Sequence, residues 1–115
     1  MSNIAADLIR GHTETIILAQ LMAGDSYGYR INKAVKQMTD GKYEFKEATL
    51  YSAFKRLEEE RYIQSYWGNE ESGARRRYYT ISDLGRQHYR QLTDEWGQVS
   101  RMIEMLVQIP QSEQI

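Results

Sequence analysis

The chain has no cysteine, one proline, two histidines and a net charge within one unit of zero over its 115 residues. Without cysteine there is no disulfide framework, no thiolate nucleophile and no cysteine-ligated zinc or iron–sulfur site, so nothing calls for an oxidising compartment. The longest purely apolar run, Ile16-Ile17-Leu18-Ala19, is far shorter than the roughly 18 residues of a membrane span, and the start lacks a basic-then-apolar leader pattern. These absences lead to the expectation of a cytoplasmic protein without a membrane partner. His12 and His88 lie far apart and neither has a histidine at i+4, so no metal site and no cofactor are expected. There is also no Gly-rich phosphate loop, no GxSxG elbow and no carboxylate pair in a cleft-forming context, and an enzyme is not expected. No repeat, low-complexity run or Pro/Ser-rich linker divides the chain.

What is present suits one small domain. The sequence is 41% hydrophobic and 27% charged with a mean hydropathy of -0.70, enough for one modest core beneath a charged surface. The near-neutral total hides a gradient. Residues 27–57 carry seven cations (Arg30, Lys33, Lys36, Lys42, Lys46, Lys55, Arg56) against three anions, whereas from Ser82 onward three arginines face five carboxylates. A basic first half precedes an acidic end, so one face could hold phosphates.

Apolar periodicity predicts one helix over residues 4–22, stopped by Gly24, and a second, capped by Asp25 or Ser26, with Ile31, Val35 and Met38 on its inner face. A third helix over 46–61 places Leu50, Phe54 and Leu57 at 0, 4 and 7, with a poor N-cap. The period then becomes alternating. Ile63, Ser65 and Trp67 oppose Gln64 and Tyr66, a polar stretch runs from Gly68 to Gly73, and residues 75–81 form a second strand with Arg77, Tyr79 and Ile81 on one side. Ser82 or Asp83 starts a long last helix, in which Tyr89, Leu92, Trp96, Val99, Ile103 and Leu106 repeat at 3, 4, 3, 4, 3, the spacing of a dimerisation seam, before Pro110 ends it.

The order helix, helix, helix, hairpin, helix predicts a mainly α fold with a small β-hairpin (α+β). It is the winged form of the helix-turn-helix, with the third helix entering the major groove, followed by a long C-terminal dimerisation helix. The expected division is a winged-helix DNA-binding domain over 1–81, the dimerisation helix over 82–109 and a flexible tail over 110–115. Lys46, Thr49, Tyr51, Ser52 and Lys55 of the third helix avoid its apolar stripe and supply hydroxyls and ammonium groups for phosphates and base edges. Arg75, Arg76 and Arg77 can each grip a phosphate bidentately, but alternation separates Arg76 from the other two. At least one is expected to pair with Glu58, Glu59, Glu60, Glu70 or Glu71, leaving two for DNA. The Glu58-Glu59-Glu60 run otherwise reads as a solvated helix end. Tyr27 and Tyr29 are candidates for hydrogen bonds to the DNA backbone, unless one of them packs in the core.

Tyr27-Gly28-Tyr29-Arg30-Ile31, followed by Glu47-Ala48-Thr49-Leu50-Tyr51-Ser52-Ala53-Phe54-Lys55-Arg56-Leu57-Glu58, resembles the PadR family of transcriptional regulators. Gly73-Ala74-Arg75-Arg76-Arg77-Tyr78-Tyr79 and Leu84-Gly85 resemble its wing and the start of its last helix. The short chain with one C-terminal helix is similar to the small subfamily, and within it to a multidrug-binding repressor. The resemblance implies a homodimer that reads a pseudo-palindromic operator in double-stranded DNA and is released by planar aromatic ligands entering between the subunits. It implies that Trp96 stacks on the ligand and that Leu8, Thr15, Leu92, Val99 and Ile103 line the same cavity. Ser100 stands where the drug-binding relative has an acidic side chain, and Thr93 where it has an aromatic one. Small neighbours Gly97 and Ser100 leave room for a flat slot, and Met102 and Met105 offer adaptable walls. The alternative is a winged-helix protein–protein interaction module without ligand response, in which the seam binds a different chain.

Overall fold

Leu50, Ala53, Phe54 and Leu57 are all essentially inaccessible to solvent, and the other elements wrap around the side of the helix they occupy. The computed structural model describes residues 3–69 and 75–110. Along the chain these form α1 (Asn3–Arg10), α2 (Thr13–Met22), β1 (Ser26–Tyr27), α3 (Gly28–Met38), α4 (Glu47–Glu59), β2 (Ile63–Trp67), β3 (Arg77–Ile81) and α5 (Asp83–Val107). The architecture is mostly helical with a small antiparallel sheet, a winged helix followed by a C-terminal helix. The expected tail over 110–115 lies, beyond Pro110, outside the described residues, as do Glu70, Glu71, Gly73 and Ala74.

Three departures from the sequence expectation have clear physical causes. The single helix expected over 4–22 is two helices. Gly11, a weak helix former, and His12, with φ -112° and ψ 21°, break it. The break is closed by the His12 amide donating to the Ile9 carbonyl at 2.8 Å and the Thr13 hydroxyl donating to the Arg10 carbonyl at 2.6 Å. Secondly, Ser26 is no helix cap. It sits in β1, opposite Tyr79, and α3 begins after Tyr27 with no side-chain cap. The hairpin is therefore a three-stranded sheet in the order β1-β3-β2, with Ile63 opposite Ile81 and Ser65 opposite Tyr79. Thirdly, Met38 lies on the surface, 75% exposed, because α3 ends there and its last turn overhangs the core that buries Ile31 and Val35.

The expected strand over 75–81 begins at Arg77, and the expected helix over 46–61 is shorter at both ends. Lys46 occupies its N-cap without a capping hydrogen bond, and Arg61, with φ 65°, turns the chain out of the helix. The core joins Ile17, Leu18 and Leu21 of α2 to Ile31 and Val35 of α3, the buried side of α4, and Ile63, Tyr79 and Ile81 of the sheet. Phe54 stacks on Tyr79 at 4.0 Å with the rings 13° from parallel, tying α4 to the central strand.

Ser82 caps α5 by accepting the Gly85 amide at 3.0 Å. The Ser82 amide and hydroxyl both donate to the Tyr62 carbonyl, at 3.0 Å each. Gly85 is buried against that same carbonyl. Tyr89 and Leu92 pack against the core, but the rest of α5 continues past it. The molecule is 69 Å long with a radius of gyration of 17.6 Å, whereas a chain of this length packed as one globule has about 13 Å.

Candidate functional site

Two surfaces stand apart from the core. The first is built on α4 and the sheet. On α4 the buried stripe leaves Ser52 and Lys55 exposed on the opposite side, with Lys46 exposed at the N-terminal end and Thr49 half-buried. Tyr51 leans sideways toward α3, and its hydroxyl reaches Gly28, where a β-carbon would lie 2.6 Å from it. Tyr29 is 69% exposed beside this crevice. Tyr27 packs instead into an aromatic ladder on the outer face of the sheet. It meets Tyr78 edge-on at 5.2 Å, and Tyr78 stacks with Tyr66 at 5.6 Å.

The three wing arginines have different surroundings. Arg77 lies 3.4 Å from Glu58, which also accepts from the Ser65 hydroxyl at 2.8 Å. Glu58 is thus a partner of β2 and β3 and not the solvated helix end that the Glu58-Glu59-Glu60 run suggests. Arg75 lies over the Trp67 ring at 5.1 Å and Arg76 over Tyr27 at 4.9 Å. Neither is held by a carboxylate among the described residues, so both guanidiniums keep their hydrogen-bonding capacity. Arg30 closes the ladder, with its guanidinium 4.7 Å from the Tyr27 ring and donating to the Ser26 hydroxyl and the Asp25 carbonyl.

The wing is tied to the end of α2 by the Tyr66 hydroxyl, which donates to the Asp25 carboxylate at 2.6 Å. That hydrogen bond, foremost, and the nearby carboxylate charge push the Tyr66 phenol above its ordinary pKa. Tyr66→Phe is expected to lower the urea midpoint, because the bond that ties the wing to Asp25 is lost, whereas Arg75→Ala should leave the midpoint near that of the wild type. Urea denaturation of the two variants checks the difference.

The second surface lies where α1, α2 and α5 meet. A cavity of about 470 Å³ is lined by Leu8, Ile9, His12, Thr15, Ile16, Trp96 and Ile103. Leu8, Thr15, Trp96 and Ile103 belong to the expected ligand set. Leu92 packs against the core, and Val99 and Ser100 do not line the cavity, Ser100 donating to the Gly97 carbonyl of its own helix at 3.2 Å. Ile9, His12 and Ile16, which flank or follow the helix break, also line it. His12 meets Trp96 edge-on at 4.7 Å. Beyond it the seam positions Trp96, Val99, Ile103 and Leu106 are 50%, 46%, 51% and 75% exposed.

Among the described residues no group of three or more His, Asp or Glu side chains is placed to hold a metal ion, and no helix is long and apolar enough to cross a membrane.

Comparison with known proteins agrees with this geometry. The model of the PadR-like transcriptional regulator family matches residues 17–91. A solved transcriptional regulator from Clostridium thermocellum is 48% identical, with a TM-score of 0.81 over 89% of this chain and 99% of that one. A PadR family transcription regulator from Clostridium difficile is 31% identical, with a TM-score of 0.72 over 84% of this chain and 99% of that one. An uncharacterised protein of Lysinibacillus sphaericus is 37% identical over 105 residues, 91% of this chain and 96% of that protein.

Proposed function

Because the chain belongs to the PadR-like family of transcriptional regulators, DNA-binding proteins and not enzymes, we propose that it acts as a cytoplasmic homodimeric repressor released from its operator by planar aromatic ligands. The observation that carries this reading is the overhanging half of α5. Trp96, Val99, Ile103 and Leu106 form an apolar edge that stays half to three-quarters exposed, only partly met by α1 and α2 of the same chain, and a second copy would cover it. Pairing through α5 sets two α4 helices for the half-sites of a pseudo-palindromic operator, about 34–36 Å apart. In this arrangement Lys46, Thr49, Tyr51, Ser52 and Lys55 meet the major groove. Tyr27, Tyr29, Arg75 and Arg76 meet the flanking backbone, and Arg77 chiefly holds the wing to Glu58.

The same dimer closes the cavity beneath Trp96. Its volume, about 470 Å³, lies within the usual range for small-molecule sites, and its walls are aliphatic and aromatic. Within the family the chain resembles the multidrug-binding repressor LmrR, in which a tryptophan from each last helix sandwiches the drug; Trp96, in Glu95-Trp96-x-x-Val99, stands at that place. Release requires the ligand to favour a different spacing of the two reading helices, since a ligand that binds both spacings equally shifts nothing.

Trp96→Ala is expected to leave the dimer folded and operator affinity within about twofold while removing measurable uptake of planar aromatic dyes, because stacking and burial are both lost. Calorimetric titration with a dye checks this, and an unchanged dye affinity contradicts the assignment. A monomer that binds no duplex at low salt would instead support the interaction-module reading.

A further inference from the structure

We infer that Asn32 is a positioning residue for DNA reading: its carboxamide bridges the backbone of Phe45 and so sets the first turn of α4, where that helix meets the bases. The inference rests on the proposed reading of α4 as the helix that enters the major groove, and adds to it a residue that acts on the groove through Phe45. The start of α4 is its least supported part. From Leu50 onward the helix is held by the buried side chains of Leu50, Ala53, Phe54 and Leu57. Before Leu50, the side chains of Lys46, Glu47 and Ala48 are exposed and that of Thr49 is half-buried. Lys46 at the N-cap gives no side-chain hydrogen bond to the open amides of the first turn, which a serine, threonine or aspartate would satisfy. A recognition helix sets its N-terminal residues against base edges, so fraying of this turn would blur the contacts of Lys46 and Thr49.

Asn32 supplies from α3 the hold that the cap lacks. Its Oδ1 accepts the Phe45 amide at 2.7 Å, and its Nδ2 donates to the Phe45 carbonyl at 2.9 Å. Both lengths are those of well-formed bonds, and a carboxamide can donate and accept at once through one rigid plane. The two bonds fall on either side of the Phe45 α-carbon. They fix both peptide planes there, and the second plane leads directly into Lys46. The Phe45 ring is 3% exposed and meets Tyr43 edge-on at 5.4 Å, so the bridged residue is anchored in the core as well. Asn32 stands on firm ground, between the buried Ile31 and Val35 of α3. A second tether in the same connection, the Thr39 hydroxyl accepting the Tyr43 amide at 3.0 Å, acts two residues further from α4.

The test is fluorescence anisotropy of the full-length protein with two duplexes at one salt concentration. One is the duplex that wild type enriches from a random-sequence pool, the other a scrambled duplex of the same composition, and the quantity read is the ratio of the two affinities. Asn32→Leu keeps the size but removes both bonds, and should lower the ratio about tenfold or more, the worth of a lost base contact. The salt slope on the scrambled duplex should not change, because no cation is lost. Asn32→Asp keeps the acceptor and loses the donor, and should lower the ratio by an intermediate amount, since its added charge weakens both duplexes alike. Thr39→Val should lower the melting temperature yet keep the ratio within about twofold, because a residue that only stabilises the fold moves both affinities together. Thermal melts identify a variant that is unfolded at the assay temperature; if Asn32→Leu is one, Asn32→Asp decides. A wild-type ratio in the deciding variant, or an equal loss in Thr39→Val, overturns the inference while leaving α4 as the reading helix. A wild type that enriches no duplex, or binds both equally, overturns the reading of α4 itself and this inference with it.

Discussion

Arg75→Ala combined with Arg76→Ala is expected to weaken binding to every duplex on the order of 100-fold at physiological salt, with little change in the ranking of sequences. The figure follows from four phosphate contacts per dimer at somewhat under 1 kcal/mol each on an exposed face. Both guanidiniums lie over aromatic rings and are held by no carboxylate among the described residues, so truncation removes phosphate contacts without exposing a buried charge. Loss of four cations should also flatten the slope of log affinity against log salt by about 3 to 4. Ser52→Ala and Lys55→Ala on α4 should act differently, changing which duplexes are preferred by about 1–3 kcal/mol per lost base contact. Fluorescence anisotropy with several duplexes at three salt concentrations separates the two effects. An unchanged salt slope in the double variant would place the cationic contacts elsewhere.

Gly85→Ala is expected to be the most damaging single methyl in the protein, lowering stability by about 3 kcal/mol and the melting temperature by roughly 10 °C or more. A β-carbon at Gly85 would lie 2.1 Å from the Tyr62 carbonyl oxygen and 2.8 Å from Ile81. The oxygen is backbone and cannot swing away, and it already accepts the amide and hydroxyl of Ser82. Moving it opens the junction where β2 begins and α5 departs, so the direction of α5 should change as well. Calorimetric melting and sedimentation together check this. Wild-type melting in the variant would mean that the close approach at Gly85 is not required. Gly28→Ala offers a milder comparison, because the atom it meets is the hydroxyl end of Tyr51, which can rotate.

How far the sequence could be read follows the range of the interactions involved. Leu50, Phe54 and Leu57 repeat at helical spacing in a long segment, and α4 with its buried side was legible. The wing strands were legible from the alternation around Ile63 and Tyr79. β1 was not, because two residues cannot show a period and Ser26 before Gly28 imitates a helix cap. Its identity is fixed by pairing with Tyr78 and Tyr79, fifty residues away. Gly11 alone is a weak signal against the apolar run that spans it, so the run hides the break before α2. His12 joins Trp96 only because the chain turns there. The expected pairing of one wing arginine with a nearby glutamate is met by Arg77 and Glu58, but the choice among the candidate pairs depends on partners from later strands, Ser65 and Arg77, that no local spacing reveals. The heptad spacing of α5 identified an apolar seam but not its division. Tyr89 and Leu92 cover the chain's own core, and the positions from Trp96 onward stay open.

The central claim is that two copies of this chain, joined through α5, read DNA with dyad symmetry. Selection from a random-sequence duplex pool with the full-length protein, followed by sequencing of the bound fraction, tests it most directly. The account predicts an enriched inverted repeat whose half-sites are centred about one helical turn apart, near 34–36 Å. An enriched motif without dyad symmetry, or no enrichment over the starting pool, would contradict it.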